Sequence, residues 1–226
     1  MSGMKRHAIY YAPPEGGFAA AAAAWLGRDA AGACAVEQPA QPGIDLAALT
    51  AEPRRYGFHG TLKPPFRLAP GEDRDALEAA LAAFAATRAP VEAGPLAVAR
   101  LGDFLALVPA EPLADLDALA GAVVEAFEPF RAALTGAEIA RRRPERLTGR
   151  QRALLARYGY PFVMDEFRFH LTLTGALASP APAVAEAAEA WFAPWLGTRF
   201  RVADICLFGE DEAGRFHLLS RHALTG

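Results

Sequence analysis

Cysteine is scarce in this chain. Cys34 and Cys206 lie far apart, and neither sits at a metal-type spacing, so neither a disulfide framework nor a cysteine-based metal site is expected. Two reduced thiols in a cytoplasmic protein fit this usage. Long hydrophobic runs are missing too. The alanine stretch Ala19–Ala24 is too short to cross a membrane and is soon broken by Gly27-Arg28-Asp29. Lys5 and Arg6 are followed by no long apolar core, so no signal peptide or anchor is expected. Charge of one sign is not in excess. The net charge of −3 and a pI of about 6.0 give no global sign of a nucleic-acid binder. No clustered His, Asp, Glu and Cys set offers a ligand cage, so no metal and no cofactor are expected. Lysine is rare beside abundant alanine, arginine, glycine and proline, a usage typical of a GC-rich bacterial genome.

What is present suits one compact unit, or two small lobes sharing a core. The chain has 226 residues, of which 53% are hydrophobic, and a mean hydropathy of +0.11,. Ala8–Tyr11 reads as a short buried strand closed by Pro13-Pro14, and Phe18–Leu26 as a helix. Residues 31–53 are expected to be mostly irregular, with a helical turn at Asp45–Leu49. Asp73–Thr87 has Leu77, Leu81 and Phe84 at helical spacing behind an acidic start,. Val91–Val108 holds two strands around Gly102-Asp103. Leu113–Leu134 reads as a second long helix. Thr148 is placed to cap a short helix ending at Tyr158-Gly159. Ala181–Leu196 reads as a helix, and Arg199–Phe208 with Arg215–Leu219 as a closing hairpin.

Two stretches stand out. Phe58-His59-Gly60-Thr61-Leu62-Lys63-Pro64-Pro65-Phe66 and Phe169-His170-Leu171-Thr172-Leu173-Thr174-Gly175 both read aromatic-His-x-Thr-Leu. Strand alternation puts His59, Thr61 and Lys63 on one face, and Arg168, His170, Thr172 and Thr174 on one face of the other copy. The prolines at 64 and 65 are expected to stop the first strand. Each copy leads to a helix and then a two-stranded hairpin, which points to an internal duplication. The expected fold is α+β: two pseudo-symmetric lobes, each an antiparallel sheet with helices outside, with the motif strands facing a central cleft. Residues 1–226 form one bilobal domain, its lobes built around the 59–108 and 170–222 halves with interleaving of the terminal and middle segments.

The pair of motifs suits the opening of a phosphodiester. One group must take a proton from water and another must protonate the leaving oxygen, and imidazoles titrate in the range where both tasks are feasible. Threonine hydroxyls can hold the non-bridging oxygens as charge builds on them. The paired motifs resemble those of the two-histidine phosphoesterase superfamily. The strings Ala8-Ile9-Tyr10-Tyr11-Ala12-Pro13, Tyr56 to Phe66, Gly159-Tyr160-Pro161 and Glu166 to Gly175 look more narrowly like a bacterial family of unknown biochemical function encoded beside phosphonate-degradation genes. The resemblance covers essentially the whole chain. It implies His59 and His170 as acid and base, and Thr61 and Thr172 as phosphate ligands. It also implies a metal-independent phosphodiesterase acting on a small phosphorylated sugar, with ribosyl 1,2-cyclic phosphate 5-phosphate as the expected substrate. The alternatives are an RNA-end activity on 2′,3′-cyclic phosphates or 2′,5′ linkages, and a non-catalytic phosphometabolite-binding protein.

Further substrate contacts are expected from Lys63, Arg168 and Thr174 on the motif faces, and from Tyr56 and Tyr160 by stacking. An arginine cluster at residues 141, 142, 143, 146, 150 and 152, with Glu145 its one acidic neighbour, is net +5 on a protein that is otherwise −8. It could bind a second phosphate or an RNA end, and Arg150 is its nominated site residue. Partners are thus a small phosphorylated substrate, no membrane, and nucleic acid only in the alternative. Neither the oligomeric state nor the division of roles between the two histidines follows from the sequence.

Overall fold

The computed structural model describes residues 3–179 and 181–226. In chain order its elements are β1 (His7–Tyr11), α1 (Gly17–Leu26), β2 (Arg28–Asp29), β3 (Cys34–Ala35), α2 (Leu46–Leu49), α3 (Ala51–Arg54), β4 (Gly60–Phe66), α4 (Arg74–Ala85), β5 (Val91–Glu92), β6 (Leu96–Leu101) and β7 (Phe104–Pro109). Then follow α5 (Ala114–Ala126), α6 (Gly136–Arg141), α7 (Gly149–Tyr158), β8 (Leu171–Thr172), α8 (Pro182–Phe192), β9 (Arg201–Val202), β10 (Asp204–Glu210) and β11 (Phe216–Ala223). Single 3₁₀ turns lie at Pro144–Arg146 and Met164–Glu166.

The frame is a seven-stranded sheet in the order β11-β10-β1-β4-β8-β7-β6, antiparallel at every pairing. Alternation along β1 sorts its two faces. Ile9 and Tyr11 join Leu62, Leu107, Leu171, Ile205 and Leu207 in the main core, against Leu77 and Leu81 of α4, Leu116 and Val123 of α5, and Phe192 of α8. Ala8 and Tyr10 face the other way, with Cys206, Phe208 and Phe216. Strand β1 is buried on both sides, which is why it reads as an unbroken apolar run.

The motif strands β4 and β8 are neighbours, paired at Gly60↔Leu171. The equivalent short strands β5 and β9 also pair with each other, at Val91↔Val202 and Glu92↔Arg201. Pairing of like with like, antiparallel, is what a local two-fold axis between two repeats produces. The hairpins are exchanged between the halves: β7 of the first half pairs with β8, while β10 of the second reaches β4 through β1.

Local signals explain most boundaries. Asp73 caps α4 by accepting from Ala76 N at 2.8 Å. Thr148 caps α7 in a reciprocal box with Gln151, and Gly159 ends that helix in the left-handed conformation, as the sequence led us to expect,. Ahead of Thr148, Thr135 and Glu138 form a second capping box and start α6. Two expectations need correction. The helix expected over Leu113–Leu134 stops at Ala126, because Pro129 disfavours helical backbone just before it and removes a donor. Strand β4 does not stop at Pro64 but runs to Phe66, with register shifts along its pairing with β1. Such irregularities release backbone groups from the ladder, so prolines are tolerated there.

Candidate active site

His59 and His170 stand at the entries of β4 and β8. In each, Nδ1 faces the carbonyl oxygen two residues upstream: Gly57 O at 2.9 Å for His59 and Arg168 O at 2.8 Å for His170. A carbonyl can only accept, so Nδ1 carries the proton in both rings, and both Nε2 atoms are left for chemistry. Gly57 makes the first bond feasible. Its φ of +74° suits glycine, and a Cβ there would fall 2.4 Å from the Ala30 side chain,. Gly60, the residue between His59 and Thr61, has a different reason. A Cβ on it would lie 2.5 Å from the Phe169 ring, so the close approach of the two motif strands depends on its absence.

A cleft of about 340 Å³ opens over this junction, lined by His59, Thr61, Thr172, Tyr10, Tyr56 and Phe104, among others. His59 stacks on Tyr10 at 3.9 Å between centroids, with Tyr56 6.0 Å away. His170 is not itself in the lining but lies 5.6 Å from Phe104, which is. Burial holds the His59 proton affinity down to about 4, against the pull of its bond to Gly57 and with a further push from the charge on His170,. Burial lowers His170 as well, and its bond to the Arg168 carbonyl opposes this. Both imidazoles therefore rest neutral at pH 7, in a setting that excludes much of the water.

Among the other residues nominated from the sequence, Tyr56 and Tyr160 line the cleft. Tyr56 stacks on Phe216 at 5.1 Å. Thr174 also lines it, but its hydroxyl is committed to the backbone, accepting from Leu105 N at 3.0 Å and donating to Gly175 O at 2.9 Å. It positions the end of the second motif rather than offering a free donor.

Lys63 is a correction. The register of β4 against β1 shifts between Tyr10↔Thr61 and Ile9↔Lys63, and a one-residue shift sends the following side chain to the opposite face. Lys63 is 1% exposed, and its ammonium donates to Val124 O at 2.9 Å and Glu128 at 3.0 Å under α5. Arg150 is a second correction. It is an exposed residue on α7 paired with Asp165 and does not belong to the cleft lining. Arg168 is exposed and outside that lining too, and its contribution is the backbone carbonyl that orients His170.

The sequence reading missed Arg6, Tyr10 and Arg142, all of which line the cleft. Arg6 is held by both carboxylate oxygens of Glu210. Arg142 belongs to the arginine cluster, whose composition pointed to the segment while only the course of the chain singles out the residue. Its guanidinium lies 4.7 Å over the Tyr160 ring.

The antiparallel sheet of this α+β fold sets the two His-x-Thr strands side by side beneath one cleft. The chain belongs to the family described as a protein of unknown function, DUF1045, whose model matches residues 61–217. Two curated relatives carry the name ribose 1,5-bisphosphate phosphokinase PhnN. The protein from Janthinobacterium sp. (strain Marseille) is 44% identical over 178 residues, covering 77% of this chain and 39% of the relative. The protein from Laribacter hongkongensis (strain HLHK9) is 35% identical over 222 residues, covering 96% and 51%. The chain thus spans between two fifths and half the length of these relatives. Similar solved structures include TT0787 of Thermus thermophilus, with a TM-score of 0.48 and 16% identity over 98% of each chain. Another is E. coli LigT complexed with 3′-AMP, with a TM-score of 0.46 and 15% identity over 99% of this chain and 100% of that one.

Proposed function

We propose that the protein is a phosphodiesterase that opens a cyclic phosphate on a small phosphorylated sugar, with ribosyl 1,2-cyclic phosphate 5-phosphate as the substrate. The observation that carries this reading is the matched pair of imidazoles. Each has its Nδ1 proton pinned to a carbonyl two residues upstream, on strands that pair directly. The names of the two relatives concern a ribose bisphosphate, which supports a pentose phosphate over a polynucleotide.

In the proposed reaction a water molecule attacks phosphorus. His59, whose proton affinity burial depresses to about 4, is neutral and takes the water proton on Nε2 as the oxygen–phosphorus bond forms. His170, protonated as the substrate anion arrives, gives its Nε2 proton to the departing ring oxygen as that bond breaks. The product is a phosphate monoester with a free neighbouring hydroxyl. Thr61 and Thr172 donate to the non-bridging oxygens, where negative charge grows in the transition state. Each imidazole role is worth about 10²–10⁴-fold in rate.

The test is a phosphorus NMR time course with chelator present. The purified protein meets ribosyl 1,2-cyclic phosphate 5-phosphate and a nucleoside 2′,3′-cyclic phosphate in one mixture. Loss of the sugar signal, slowed by about 10²–10⁴-fold in His59→Ala and in His170→Ala, is the expected result. Consumption of the nucleotide alone would transfer the site to RNA-end chemistry. No turnover of either would leave a phosphometabolite-binding protein. Near-normal turnover in either variant would overturn the acid and base assignment.

A further inference from the structure

The charges that line the cleft are unevenly compensated. Arg6 is neutralised by Glu210, whose two carboxylate oxygens both accept from it. Glu52 lies 3.7 Å from Arg55. Arg142 is different. Its guanidinium rests on the face of Tyr160, and among the described residues no carboxylate pairs with it. Among the described residues the cleft therefore carries one unspent positive charge, on a side chain whose guanidinium lies over an aromatic ring,.

The chain around Arg142 is built to hold it there. Helix α6 is fixed at its start by the Thr135–Glu138 capping box. Both oxygens of Glu138 also take hydrogen bonds from Arg67, at 3.1 and 3.0 Å, just beyond the end of β4. Arg142 caps the other end of α6, after which Arg143 turns the chain with φ +49° into the 3₁₀ turn at Pro144. Two tethers and a sharp turn thus fix the reach of Arg142 relative to the first motif strand.

Arg142 reaches the cleft from the end of α6, over Tyr160, whereas Thr61 stands on β4 and Thr172 on β8.

Building on the function proposed above, we infer that Arg142, presented on Tyr160, is the subsite for a second anionic group of the substrate, a terminal phosphate monoester several bonds from the reacting phosphodiester. The planar guanidinium can grip such a group with two parallel N–H donors while its face stays on the ring. Small cyclic phosphates that carry this second group are selected over those that lack it.

Two measurements on the full chain test this. The first compares kcat/KM for ribosyl 1,2-cyclic phosphate with and without the 5-phosphate. The wild-type preference for the phosphorylated form should fall by about 10- to 100-fold in Arg142→Gln, as expected for loss of a charge-assisted contact. Arg142→Lys, which keeps the charge and loses the fork, should fall between them. The second is calorimetric binding of ribose 5-phosphate, which has no bond to cleave. Its affinity should drop by a similar factor in Arg142→Gln and stay near the wild-type value in Arg150→Gln, a charge of the same cluster outside the cleft. Unchanged preference and unchanged ribose 5-phosphate affinity in Arg142→Gln, with its thermal melt intact, would overturn the inference. Because the binding arm needs no turnover, failure of the phosphodiesterase reading would show separately, as the absence of product in the first arm alone.

Discussion

At the scale of single residues the site is governed by what each histidine can do with its proton. Both Nδ1 atoms are occupied by carbonyls, so only Nε2 is left to titrate in each ring. Burial depresses both affinities, His59 to about 4 and His170 below its ordinary 6.5. On the roles proposed above, the base must be neutral and the acid charged before substrate binds. The kcat/KM profile should therefore rise through about pH 4 as His59 loses its proton. It should fall again below about pH 6.5 as His170 loses its own. An arriving phosphate anion favours the charged imidazoles, so both limbs of the kcat profile should sit higher. Measuring kcat/KM and kcat from pH 4 to 9 checks this, and an alkaline limb of kcat/KM well above 6.5 would show that His170 is not the acid in its depressed state. The same depression acts on stability. A lowered histidine resists protonation in the folded state, so stability is full above about pH 6.5 and is lost as pH falls toward 4. The pair itself was legible in the sequence because the aromatic-His-x-Thr-Leu string is repeated. Tyr10, on which His59 stacks, was not. As one residue of an apolar strand it carries no mark that separates a site wall from core.

At the scale of elements, capping chemistry could be read and register could not. Thr148 and Gly159 bound α7 where their side chains and backbone preferences place them. The same T-x-x-E logic starts α6 at Thr135 and Glu138, in a segment that is polar and short of apolar periodicity. The shifts in β4 are another matter. Nothing in Thr61-Leu62-Lys63 announces a bulge; it arises from how β4 must pair with β1 on one side and β8 on the other. Its consequence is large, since it moves Lys63 from the cleft face to the helix face. Lys63→Met tests that placement. Glu128 keeps Arg131 as a partner and is a quarter exposed, so the loss falls short of that for a fully stranded buried charge. A destabilisation of about 1–3 kcal/mol is expected, with kcat/KM within about twofold of wild type, as for changes away from a site. Chemical denaturation and steady-state kinetics on the same preparation separate the two effects. A tenfold loss of kcat/KM in a variant of normal stability would return Lys63 to the active site.

At the scale of the whole molecule, the repeat that the sequence shows in tandem is entangled in space. The first half contributes β7 to pair with β8, and the second contributes β10 to pair with β1, which in turn pairs with β4. Strands β5 and β9 pair across the halves as well. Trp25, on α1, donates its indole N–H to Leu173 O at 3.0 Å and so ties the first helix to the second motif. No cut near the middle of the chain leaves either motif strand with both of its neighbours. The apolar face of the sheet and helices α4, α5 and α8 form one core, with no layer that belongs to one repeat alone. Unfolding should accordingly be a single transition despite the duplicated layout. Urea titrations followed by far-UV circular dichroism and by tryptophan fluorescence should superimpose, with an m-value in keeping with the surface of the whole chain. Two separated transitions, or a stable fragment from residues 3–134, would mean that the halves fold independently. The cleft would then be an interface between two domains rather than a product of one sheet. In the single-sheet case the geometry of the candidate site is as stable as the fold itself, because the Gly60↔Leu171 pairing that sets the two motifs side by side lies at the centre of the sheet.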